Sequence, residues 1–159
     1  MKPSADPIAR LMQEHDDALI QLKLLNKAVN AVARDGYSSK HFRQISAALE
    51  FIEEEVSVHN HKEEAALFPV LERYVEGPTR VMRNDHKQLK AGFAQLHAAA
   101  KRVDGSRDSF SAIKHLVTVA RSVVQLFVNH IHKENHILFP LVQRFLSKDE
   151  LREIAKRMV

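Results

Sequence analysis

Two eleven-residue segments carry nearly the same message: HNHKEEAALFP from His59 to Pro69, and HIHKENHILFP from His130 to Pro140. Each sets a histidine and a glutamate four residues apart, His59 with Glu63 and His130 with Glu134. On a helix that spacing puts both side chains on one face, one turn apart, where they can grip a common centre. Two more histidines, His15 and His86, are separated by the same 71 residues that separate the two pairs. Four imidazoles and two carboxylates suit iron or manganese, and zinc less specifically. Two carboxylates can bridge two metals, which leaves two histidines for each ion. HKENH is not the HExxH arrangement of zinc proteases, because its acid sits one place late.

These six residues must be positioned by helices. Apolar residues recur at alternating steps of three and four, the spacing of a single helical face. The first stripe runs Leu11, His15, Ala18, Leu22, Leu25, Val29, Val32. The second runs Phe42, Ile45, Leu49, Ile52, Val56, His59, Glu63, Ala66, Val70, and the third Met82, His86, Leu89, Phe93, Leu96, Ala100, Val103. The fourth runs Ile113, Leu116, Ala120, Val123, Phe127, His130, Glu134, Ile137, Leu141. Asp6-Pro7 reads as a helix start, while Asp35-Gly36, Gly77-Pro78 and Asp104-Gly105-Ser106 read as breaks. Ser147-Lys148-Asp149-Glu150 reads as a capping box opening a short last helix. The expectation is an all-α, up-down-up-down four-helix bundle in one domain over residues 1–159. Helix pairs 6–76 and 78–146 form pseudo-two-fold repeats, and residues 147–159 form the C-terminal helix.

All six candidate residues interrupt apolar stripes. Ionisable groups in a core cost free energy unless partnered, so six at matching positions of two repeats point to a metal. The other histidines are read differently. His61 and His132 lie about 200° around the helix from the candidate ligands and should point outward. His132 and His136 form a second pair four apart, off the stripe, and an outer-face zinc site is the alternative use for it. His41, His97 and His115 are read as surface residues. Pro69 and Pro140 each remove a backbone hydrogen bond and should kink their helices. Such a bend would let Phe68 and Phe139 close the end of the site.

Composition narrows the function classes. The chain has 159 residues, 45% of them hydrophobic and 28% charged, and no cysteine. That suits a globular core and excludes disulfides, thiolate metal sites and cysteine catalysis. No run of about 20 apolar residues marks a membrane span and no signal-like segment opens the chain, so a cytoplasmic protein is expected. The formal charge is +4, yet the basic residues are scattered among 20 acids. Arg80, Arg83, Lys87 and Lys90 read as a solvated face, not a nucleic-acid surface.

The set His15, His59-x-x-x-Glu63 followed by Glu64 and Leu-Phe-Pro, His86, and His130-x-x-x-Glu134 followed by Leu-Phe-Pro resembles the bacterial hemerythrin-like, HHE cation-binding type. The resemblance covers roughly residues 6–146. It implies a non-haem di-iron centre bridged by oxo, hydroxo or water and by the carboxylates of Glu63 and Glu134. His15 and His59 would then ligate one iron, and His86 and His130 the other. The oxygen carriers of the family have a fifth histidine four residues after the third-helix histidine, where this chain has Lys90. They also end in His-x-x-x-x-Asp, where this chain has His-x-x-x-Glu. More positions on the metals are thereby left open. Relatives that repair iron–sulfur centres carry a cysteine-containing segment that this sequence lacks.

The first functional reading is a di-iron protein that binds or senses oxygen or nitric oxide, or handles iron and redox stress. The second is a redox enzyme consuming peroxide or nitric oxide at the same centre. The third is a metal-stabilised structural or interaction module. The amphipathic tail with Leu151, Ile154, Ala155 and Met158 could serve a homodimer, although capping the bundle fits it better.

Overall fold

The structure, a computed structural model, describes residues 6–158. Its elements are α1 (Pro7–Asp35), α2 (Ser39–Lys62), α3 (Phe68–Leu71), α4 (Pro78–Gly105), α5 (Phe110–Lys133), α6 (Phe139–Phe145) and α7 (Lys148–Arg157). A π-helical turn, Glu63–Leu67, joins α2 to α3, and a second, Glu134–Leu138, joins α5 to α6. No strand occurs among the described residues.

Local chemistry sets the helix boundaries. The Asp6 carboxylate accepts from the Ile8 amide at 2.9 Å ahead of Pro7, which has no N–H to leave unsatisfied. Ser38 and Ser109 cap α2 and α5 by accepting the amides of His41 and Ala112. Gly36 and Gly77 take φ of 85° and 104° at the ends of connections, a region that costs other residues free energy. Ser147 and Glu150 form the reciprocal capping box that opens α7.

The four long helices form a closed ring: α1 packs on α2 and α5, and α4 packs on α5 and α2. This is the all-α four-helix bundle read from the stripes. The interior is apolar in two separate bodies. One fills most of the bundle and includes Leu22, Leu49, Leu96 and Leu116. The other lies at the end built by α3, α6 and α7 and includes Leu11, Phe68, Phe139, Ile154 and Met158. The tail helix caps that end, with Ile154 and Met158 buried. Between the two bodies runs a layer of buried ionisable side chains.

The prolines do not produce a plain kink. Each sits just after a π-helical turn, in which the Phe68 amide reaches Glu63 and the Phe139 amide reaches Glu134, five residues back. The wider turn adds one residue to the helix circumference. After the second turn the buried stripe slips by one residue, whereas after the first Ala66 and Val70 stay buried. Ile137 is 53% exposed, while Leu138, Phe139 and Val142 are buried. The continuation of the fourth stripe through Ile137 and Leu141 is thus corrected to Leu138 and Val142.

The helical stretch Phe110–Phe145 contains an 18-residue window with a mean hydropathy of 1.2, long and apolar enough to cross a membrane by length and composition alone. Its face toward α1 and α4 carries His130 and Glu134, which marks it as a core helix of the bundle.

Candidate metal centre

The bundle brings all six sequence-selected residues into one buried layer. His15 comes from α1, His59 from α2, His86 from α4 and His130 from α5, while Glu63 and Glu134 open the two π-helical turns. None is more than 7% exposed. Their donor atoms fall into two groups, His15, His59, Glu63 and Glu134 in one, and His86, His130 and Glu134 in the other. Within each, all atoms lie within 4.8 Å of one another. Glu134 is common to both: its Oε1 is 3.1 Å from His15 Nε2 and 2.9 Å from His130 Nε2. Glu63 joins the first group alone, in contact with His59 Nε2.

All four imidazoles are held the same way round. His15 Nδ1 meets Asn135 Oδ1 at 2.7 Å, and His59 Nδ1 meets Glu14 Oε1 at 3.0 Å. His86 Nδ1 meets Glu64 Oε1 at 2.8 Å, and His130 Nδ1 meets Asp85 Oδ2 at 3.0 Å. Each acceptor fixes the proton on Nδ1 and leaves the Nε2 lone pair for the centre, the tautomer that metal ligation needs. Lys62 in turn binds Glu14, and Lys133 binds Asp85. The rings are backed by aromatic stacking. Phe139 lies on His15 with ring centroids 5.5 Å apart, and Phe68 lies on His86 at 5.8 Å.

Electrostatics in the layer are unbalanced. Five carboxylates (Glu14, Glu63, Glu64, Asp85 and Glu134) and two lysines surround the four imidazoles, an excess of three negative charges when all are ionised. Protons respond to that excess. Burial, and then the charge of neighbouring Glu134, holds the Glu63 carboxyl well above its ordinary range. Burial alone would lower His59, but the Glu63 charge and the contacts with Glu134 and Glu14 drive it well above the imidazole range. Glu134 stays well below its ordinary value despite burial, because Glu63, His130, His15 and His59 all bond to it. Burial lowers His86. His130 is raised against burial by Glu134 and Asp85.

Protein groups alone leave several atoms unpaired. His86 Nε2 and Glu134 Oε2 are buried without a hydrogen bond, while the Glu63 carboxylate and His130 Nε2 meet only other inward-facing atoms of the same layer. Buried polar atoms left in this way cost about 1–3 kcal/mol each. They converge from four elements with lone pairs inward, which is the form of a cation's coordination shell. The donor set of imidazoles and carboxylates fits iron or manganese.

The hemerythrin HHE cation-binding domain model matches residues 6–142. The chain belongs to the hemerythrin HHE family. It is also similar to the iron-sulfur cluster repair protein YtfE of Yersinia pseudotuberculosis, strain IP 31758, at 28% identity over 141 residues. The YtfE of Yersinia pestis, strain Pestoides F, matches at the same identity. These alignments cover 86% of this chain but only 63% of those relatives, so the chain spans less than two thirds of their length.

As a hemerythrin HHE domain, the chain places its remaining histidines outside this layer. His61, His97, His115, His132 and His136 are exposed, and His97 pairs with Glu53. His41 is half-buried beside the Ser38 cap. The His132 and His136 rings lie 4.4 Å apart on the outer face. Reading the sequence for ligands missed the residues that orient them: Glu14, Asp85 and Asn135, with Lys62 and Lys133. The signal was present, since Glu14 and Asp85, Glu64 and Asn135, and Lys62 and Lys133 are each 71 residues apart.

Proposed function

We propose that this chain is a non-haem di-iron protein that binds or senses a small diatomic ligand, oxygen or nitric oxide, or handles iron under redox stress. His15 and His59 with Glu63 would hold one ion, His86 and His130 the other, with Glu134 between them. The observation that carries this reading is the common orientation of four imidazoles, each with Nδ1 anchored outward and Nε2 aimed at two buried carboxylates. When bound, the irons would supply open coordination positions and electrons for a small oxidant. The protein's part is to hold the donors neutral or anionic as required and to keep bulk water out. Two apolar bodies flank the layer, and Phe68 and Phe139 back its rings.

The name of the YtfE relatives supports iron chemistry as the setting, and repair activity itself is a separate question for a chain of this span. The test is metal analysis of the purified protein, with absorption spectra before and after anaerobic reduction. The expected result is about two irons per chain, with near-ultraviolet bands that bleach on reduction, and a His59→Ala variant with less iron and weaker bands. Zinc in place of iron, or no metal after anaerobic iron loading, would overturn the reading in favour of a structural module.

A further inference from the structure

The 71-residue repeat duplicates the shell around the ligands except at one position. Glu14 and Asp85 are both carboxylates, and Lys62 and Lys133 are both lysines. Phe68 and Phe139 stack alike on His86 and His15. At the fourth pair the repeat breaks: His86 Nδ1 faces the Glu64 carboxylate at 2.8 Å, while His15 Nδ1 faces the Asn135 amide oxygen at 2.7 Å. The two contacts are geometrically equivalent and differ by one charge.

A carboxylate draws the Nδ1 proton toward itself and makes Nε2 a stronger donor, which an amide oxygen does far less. Both imidazoles of the His86/His130 group are therefore backed by carboxylates. In the His15/His59 group only His59 is, and Glu63 supplies an added carboxylate to that group directly. We infer that Glu64 and Asn135 are positioning residues that make the two metal positions inequivalent, each tuning one ion through one histidine. This inference rests on the two-ion reading above.

The experiment is stepwise anaerobic titration of the chelator-stripped full chain with Co(II), read by its visible absorption, for wild type, Glu64→Gln and Asn135→Asp. Both substitutions keep side-chain size, and far-ultraviolet circular dichroism checks the fold. Wild type should bind about two Co(II) in two resolved steps. Glu64→Gln should weaken one step by about 10- to 100-fold and leave the other unchanged, the usual size of an outer-ligand effect. Asn135→Asp should strengthen the other step, and not the one that Glu64→Gln weakens. Equal effects of either variant on both steps, or effects of both on the same step, would overturn the inference while leaving the two-ion reading intact. Binding of fewer than two Co(II) by wild type would overturn the two-ion reading itself.

Discussion

Binding ferrous iron to the metal-free protein at pH 7 should release protons, and the release follows from the charges packed into the centre. Glu63 and His59 both bind protons more tightly than usual, Glu63 through burial beside Glu134 and His59 through its three carboxylate neighbours. Both shifts favour the protonated form of this closely coupled pair, so a cation entering the metal-free centre must displace a proton from it. His130, raised by Glu134 and Asp85, shifts in the same direction. Glu134, Asp85 and Glu14 lie below their ordinary values and His86 is lowered, so these four have none to give. Full loading should thus release at least about one proton per chain. Apparent affinity for the filled centre then falls by about tenfold per pH unit of acidification, or about 1.4 kcal/mol, for each proton released. Metal should be lost below about pH 6.

The same protons give the metal-free and loaded forms opposite stability trends. His59 and Glu63 have folded values above their unfolded ones, so the stability they contribute is complete below the unfolded values and lost as pH rises through the folded ones. Between pH 5.5 and 8 the metal-free protein should therefore lose stability as pH rises, while the loaded protein gains it. Calorimetric titration with iron in two buffers of different ionisation enthalpy counts the protons, and melting curves across that window give the trends. Zero proton release at pH 7, or full metal retention at pH 4, would refute the assignment of these residues as ligands.

Three further outcomes are expected. Glu134→Gln should lower the metal content of both positions after dialysis, whereas Glu63→Gln should lower it at one, because only Glu134 reaches both histidine groups. Phe139→Ala removes a buried ring stacked on His15 and should cost about 3–5 kcal/mol in urea unfolding. Gly77→Ala should cost about 1–2 kcal/mol in the same assay, since φ of 104° there is strained for any residue with a Cβ.

Much of this centre could be read from spacing because a helix converts spacing directly into direction. His59 and Glu63 meet because they are one turn apart, and His15 and His86 join them because their stripes face the same interior. The slip after Glu134 was not legible. Whether a proline is met by a kink or by a wider turn depends on how the backbone upstream shares its carbonyls, and Ile137 and Leu138 are equally apolar candidates for the core. The outer residues were hidden for another reason. Glu14, Asp85 and Asn135 lie beside the stripes, where polar residues usually mean solvent. In the sequence only the 71-residue spacing of Glu14 with Asp85 and of Glu64 with Asn135 distinguishes them.

The break in the repeat bears on what duplication does for such a protein. Two copies of one helix pair give a symmetric cage, and a symmetric cage offers two equal ions, neither set apart for an incoming ligand. Inequivalence has to come from departures in matched positions. Here the ligand histidines match, as do the lysines and the stacked rings, and the departures fall on what backs an imidazole and on which carboxylate reaches across. Changes at those positions leave the buried geometry in place, because Glu64 and Asn135 make the same hydrogen bond at nearly the same length. On the two-ion reading proposed above, electronic difference between the two positions would thereby be separated from the folding of the cage, so the first could vary without endangering the second.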